Sequence, residues 1–269
     1  MGQEINHIEK YQLNKLMGLL DKFENLLHEA VDGKMLLDDD YPNIVLQAAG
    51  KSSFTLRAIT TLCIAGLPDA AFALARNIYE QSIILSFFET IKSSPDFDAY
   101  VKDYYIDRKY QSIKDAMWRA EMIANDQSAV QGYKSQIERL QNETSRHIGR
   151  DYWWARQTSF YNIVMFIINS FSDTPQKKEM LTTYSLYKRA CKDIHADSFG
   201  NTLRLGSERV CYGVDNTAKT SGHGLPLHFA VYSFCLVTLI VFNTLSIDDK
   251  GLLSDLDHLA DLYMAIDYK

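Results

Sequence analysis

The chain has 269 residues, 46% of them hydrophobic, enough for a sizeable core in one large helical domain or two small ones. Its 28 basic and 34 acidic side chains leave a formal charge of −6, which argues against a general nucleic-acid coat, DNA included, while leaving room for a small local RNA site. Cys63, Cys191, Cys211 and Cys235 form no CxxC pair, so no disulfide framework or cysteine zinc site is expected, and a reducing cytoplasm is.

The opening MGQEINHIEKYQLNK has no apolar signal core. From Glu4 to Val31, apolar residues such as Ile8, Leu16, Leu19, Phe23 and Leu27 recur three and four apart, as an amphipathic helix requires, and Gly33 ends it. Asp38, Asp39 and Asp40 precede Pro42. Carboxylates favour the positive end of a helix and proline tolerates its first turn, so the run reads as capping of a second helix rather than as a metal site. That helix runs to about Ala65 and closes on Gly66; Pro68 opens the next one after a tight turn, giving an antiparallel hairpin.

The stretch from Pro68 to Lys92 is apolar nearly all round, which places it centrally, yet Arg76, Asn77, Glu80 and Gln81 interrupt its middle. Buried charges need partners, so Arg76 and Glu80 imply a polar cluster inside a helical protein. Arg76 before Glu80 is the less favourable order for a pair one turn apart, so each is expected to have partners on other helices.

SerSerProAsp at 93–96 stops that helix and starts a fourth, with Phe97, Tyr100, Val101, Tyr104, Ile113, Met117, Ala120 and Ile123 along one apolar side. Residues 128–147 form a polar helix, with Lys134, Arg139, Arg146 and Arg150 in and just after it, that reads as a solvated face rather than a nucleic-acid surface. TyrTrpTrp at 152–154 reads as an anchor against the core rather than a stacking surface for bases. A helix from Thr158 to Phe171 and another from about Thr174 to His195 follow, then a long polar loop at 197–224 of the kind that often carries function. Leu225–Leu245 is nearly long enough to span a bilayer, but His228, Tyr232, Ser233 and Thr238 punctuate it and a core helix is expected; an amphipathic helix, Asp249–Ala265, closes the chain. No strand alternation or internal repeat stands out. The fold class is all-α, a bundle of roughly eight or nine helices in a single domain over 1–269, with residues 1–40 as an N-terminal helix and 41–269 as the core bundle.

The run TTYSLYKRACKDIHADS holds the remaining polar candidates. On a continuous helix Tyr184, Lys188, Cys191 and His195 share a face. In one reading His195 and Tyr184 face the central helix and close the cluster with Arg76 and Glu80: Arg76 binds an anion or pairs with Glu80, Glu80 orients His195 and Tyr184 donates a hydrogen bond. The result is either a ligand pocket or a purely structural network. His195 with Asp197, and His223 with His228, provide no third ligand at helical spacing, so neither a metal nor a cofactor is expected. No nucleophile elbow, Walker motif or dinucleotide fingerprint is present.

ArgAsnIleTyrGlu at 76–80 together with TyrLysArgAlaCysLysAspIleHis at 187–195 resembles a widespread bacterial helical family catalogued as a domain of unknown function, similar in turn to the HEPN superfamily. The resemblance implies a HEPN-like core and an effector of bacterial defence or toxin type. It implies a homodimer, RNA as a partner, an antitoxin or other partner protein, and metal-independent RNA cleavage. HEPN ribonucleases carry arginine, then four to six residues, then histidine, and Arg189 with His195 fits; Ala190 stands where those nucleases usually have a polar residue. Residues six apart on an unbroken helix point about 120° apart, so Arg189 and His195 converge only if the helix unwinds near Asp193 or a second subunit completes the site. The other class of reading is a non-catalytic helical sensor or interaction module in which the same residues hold the core or grip a small anion.

Overall fold

The computed structural model describes residues 7–32, 40–144, 148, 151–194, 205–206, 209–210 and 223–266. Among these the chain is an all-α bundle of nine helices: α1 His7–Val31, α2 Tyr41–Ile64, α3 Pro68–Ile91, α4 Phe97–Arg119, α5 Gln127–Glu143, α6 Phe160–Ser170, α7 Thr174–Ile194, α8 Gly224–Leu245 and α9 Lys250–Ile266. A ladder of two residues per strand, Leu205–Gly206 against Arg209–Val210, is a small addition to the strand-free chain read from the sequence.

Gly66 takes φ 75°, the left-handed region that costs a side-chain-bearing residue more than glycine. Its N–H reaches the carbonyl of Cys63 at 3.0 Å and that of Leu67 reaches Leu62 at 2.9 Å, which satisfies the last carbonyls of α2 before Pro68 starts α3. At the other end of α2, Asp40 stands at the N-cap but its carboxylate makes no capping hydrogen bond, only its backbone oxygen does, accepting from Asn43 at 3.0 Å. Asp38 and Asp39 lie outside the described residues.

Two helices make the centre. α3 packs on α2, α6, α7 and α8, while α8 packs on α2, α3 and α9. Both are apolar on most of their circumference because neighbours cover them on several sides. Phe229 of α8 meets Phe72 at 5.8 Å and Tyr79 at 5.5 Å between ring centres, and Phe234 meets Phe23 of α1 at 4.9 Å. Each such ring removed from water contributes on the order of 2 kcal/mol. α8 is long and apolar enough to cross a membrane, and 67% of its most apolar window is buried inside the fold, as a core helix requires.

α4 departs from the sequence expectation. Val101, Tyr104 and Ile106 are buried in its first half, but Ile123, read as part of the same apolar side, is 73% exposed, with Trp118 and Met122 beside it. The reason is tertiary: α4 continues into a π-helical turn, Ala120–Ala124, that packs mainly on α4 and α5, so among the described residues no third layer covers the far end of α4. Asn125 at φ 49° reverses the chain and Asp126 caps α5 by accepting from the Ala129 N–H at 3.0 Å. α5 buries only Val130 and Leu140 and is the solvated helix its composition implied.

Trp153 and Trp154 are buried, so the aromatic run anchors the core. Trp154 stacks on Phe88 of α3 at 5.5 Å and meets Tyr104 of α4 edge-on at 4.8 Å, and the Trp153 indole donates to the Asp107 carboxylate at 2.7 Å.

Candidate functional site

α3 and α7 run antiparallel, and the polar residues in the middle of α3 meet the second half of α7. Tyr187 donates to Glu80 Oε1 at 3.1 Å, and Arg76 Nη1, one turn earlier on α3, approaches Cys191 Sγ, one turn later on α7, at 3.8 Å. Arg76 Nε lies 3.9 Å from Glu80 Oε1, within ion-pair range and beyond a normal hydrogen bond. Each charge therefore has its partner across the helix seam, as their order along α3 implied.

The seam is set by side-chain size on α7. Met180, Thr183 and Ala190 are buried and Tyr187 half-buried, at i, i+3, i+7 and i+10, while Lys188 and Arg189 are exposed. Ala190 is fully buried, so a polar residue there would be removed from water and would need a hydrogen-bond partner. This corrects part of the face expected from Tyr184, Lys188, Cys191 and His195: Cys191 does meet Arg76, but Lys188 is exposed and the hydrogen bond to Glu80 comes from Tyr187, not Tyr184. The alternating spacing of Met180, Thr183, Tyr187 and Ala190 was present in the sequence, but it competed with a second, more polar stripe.

The expected burial also needs correction. The Arg76 and Glu80 side chains keep 26% and 29% of their exposure, so the cluster lies at the edge of the core and reaches solvent. A guanidinium offers five N–H donors; among the described residues Arg76 directs one at a weak sulfur acceptor and faces Glu80 at a long distance, which leaves capacity for an anion.

Aromatic rings surround the polar pair. Tyr187 lies 5.2 Å from Tyr79, 4.8 Å from Phe160 and 5.9 Å from Tyr184, with which it stacks, and Tyr184 continues to Tyr161 of α6 at 5.7 Å. Tyr161 ends this row 49% exposed. Burial first, then the Glu80 charge and Cys191, hold the Tyr187 hydroxyl protonated well above the ordinary tyrosine range. Burial, then Glu80 and Asp151, push Tyr152 up to about 12 against the opposing charge of Arg76. Tyr152, Tyr187 and Cys191 are the participants that reading the sequence did not assign to the cluster.

Arg189 holds its guanidinium 5.7 Å over the ring of Phe72, one turn before Arg76 on α3, so the two arginines serve the same stretch of seam. α7 is helical through Asp193 to Ile194, so it does not unwind at Asp193. His195 lies outside the described residues, as does most of the loop at 197–224. Among the described residues no group of three His, Cys, Asp or Glu side chains has metal-binding geometry, and Cys63, Cys191 and Cys235 form no disulfide there.

No curated protein and no solved structure matches this chain. Residues 43–209, from the first turn of α2 to the short ladder, carry Arg76, Glu80, Tyr187, Arg189 and the segment between; over that stretch, more than half its length, the sequence matches a family of unknown function, DUF5677, and the chain belongs to that family.

Proposed function

We propose that this chain is a HEPN-like effector of a bacterial defence or toxin system that binds RNA along the α3–α7 seam and cleaves it without a metal through Arg189 and His195. The observation that carries the reading is that Arg76, against Cys191, and Arg189, over Phe72, both lie at the α3–α7 seam, with a row of tyrosines that ends in the exposed ring of Tyr161. Guanidinium for phosphate and an aromatic face for an unstacked base are the two contacts by which proteins hold single-stranded RNA. In cleavage, the imidazole of His195 takes or returns the proton of the 2′-hydroxyl or leaving group, and Arg189 neutralises charge developing on the phosphate. Because α7 stays helical to Ile194, the reading assigns convergence of the two residues to a second protomer, with two copies of α7 meeting across a two-fold axis.

A second reading has its own observation: the Tyr187–Glu80 and Arg76–Cys191 contacts each tie α3 to α7, as a purely structural clasp would. One set of proteins separates the two. A labelled single-stranded RNA is incubated in EDTA with wild type, His195→Ala and Arg189→Ala, and the melting temperature of each is recorded. The nuclease reading expects cleavage by a dimeric wild type and loss of at least about 100-fold in both variants at unchanged melting temperature. A wild type that neither binds nor cuts RNA overturns it and leaves the clasp.

A further inference from the structure

A second opening lies further along the same seam, where α3, α6, α7 and α8 meet, with a cavity volume of about 490 Å³. That is within the usual size of small-molecule sites, which in helical bundles form between helices. Phe171, Met180, Leu236 and Leu239 give it apolar walls, and its charged groups are Glu89 and Glu179; among the described residues no lysine or arginine lines it. Glu89 accepts from the Tyr41 hydroxyl at 2.8 Å and from Lys92 at 3.0 Å, which supplies it with a counter-charge. Glu179 sits on the exposed side of α7 and faces the hydroxyl of Tyr232, which burial first and Glu179 next hold protonated.

This combination selects a chemical class. An anion would meet two carboxylates and no cation on the walls. A neutral apolar molecule would fill the cavity but leave Glu179, which pairs with no cation among the described residues, without a counter-charge, whereas Glu89 already has Lys92. A molecule with one positive end satisfies both features, since charge-assisted hydrogen bonds are stronger than neutral ones and the apolar walls remove the rest of the ligand from water. We propose that this cavity binds a small organic cation with an apolar body, an arylalkylamine or alkylammonium compound, whose ammonium lies at Glu179 and whose ring or chain lies against Phe171, Met180, Leu236 and Leu239. Glu89 is nine residues beyond Glu80 on α3, about 13 Å along the axis, so the cavity is distinct from the Arg76 cluster and the inference does not rest on the nuclease reading.

The test is calorimetric titration of the full chain with 4-phenylbutylamine, 4-phenylbutan-1-ol and 4-phenylbutyrate, which share a body and differ in charge. The amine is expected to bind about tenfold or more tightly than the other two. Glu179→Gln, at an exposed position, is expected to weaken the amine about tenfold and leave the alcohol unchanged. Leu239→Lys, also at an exposed position, brings a competing ammonium to the rim and is expected to abolish amine binding while the melting temperature holds. Equal affinity for the three probes, no saturable amine binding, or amine binding indifferent to both variants overturns the proposal.

Discussion

Replacing Tyr187 by phenylalanine isolates one bond of the cluster. The ring keeps its contacts with Tyr79, Phe160 and Tyr184, and only the hydroxyl that donates to Glu80 at 3.1 Å is lost. A hydrogen bond to a charged acceptor contributes about 1.5–3 kcal/mol where water is excluded. Glu80 retains 29% of its exposure, so water substitutes in part, and the expected loss is about 1 kcal/mol. Tyr187→Ala, which also removes the ring, is expected to cost about 3–5 kcal/mol. Urea denaturation followed by circular dichroism measures both, and a cycle with Glu80→Gln should give a coupling of about 1 kcal/mol.

The same bond has a pH signature. Tyr187 titrates above the unfolded value of about 10, so its contribution is fully present below that pH and is lost as pH rises through the folded pKa. Tyr187→Phe lacks that proton, so above about pH 10 wild type loses stability faster than the variant by up to about 1.4 kcal/mol per pH unit, and the gap between them closes. A variant as stable as wild type at neutral pH, zero coupling to Glu80, or parallel alkaline slopes would refute the idea that Tyr187 anchors Glu80.

Arg57→Ala removes the partner that first depresses the Glu24 carboxyl and that also meets Asp21 at 2.6 Å. The Glu24 side chain is 40% exposed, so solvent screening holds the cost to about 0.5–1 kcal/mol. A lowered carboxylate stabilises above its unfolded pKa and stops doing so as pH falls through the folded one, so the difference measured by urea denaturation should shrink as pH falls below the ordinary glutamate value of about 4.3. Trp153→Phe deprives Asp107, whose pKa burial raises, of its indole donor. A raised carboxyl is penalised only where it is charged, so a loss of about 1 kcal/mol at neutral pH should shrink toward pH 4 in the same assay. Phe88→Ala, fully buried among Tyr41, Phe97 and Trp154, is expected to cost about 4 kcal/mol, whereas Phe54→Ala, 75% exposed on α2, should stay within about 0.5 kcal/mol. Denaturation midpoints for the pair check the burial assignment.

Local pattern carried most of the helices. The Gly66–Leu67–Pro68 turn, the amphipathic spacing of α1 and α9 and the largely apolar circumference of α3 and α8 depend on residues within a few turns of one another, and a sequence displays those relations directly. Helical spacing also singled out Arg76 and Glu80, because two charges on an otherwise apolar helix demand company wherever the helix sits. Which residues supply that company is a different kind of question. α7 has two stripes, one through Tyr184 and Lys188 and one through Met180, Thr183, Tyr187 and Ala190, and nothing local ranks them. Packing against α3 chose the second because Ala190 lets the helices approach and Tyr187 fills the space beside Tyr79. The exposed end of α4 follows the same logic: its apolar side is written in the sequence, but whether a third layer covers it depends on where the distant helices end, and that is decided only when the chain is folded.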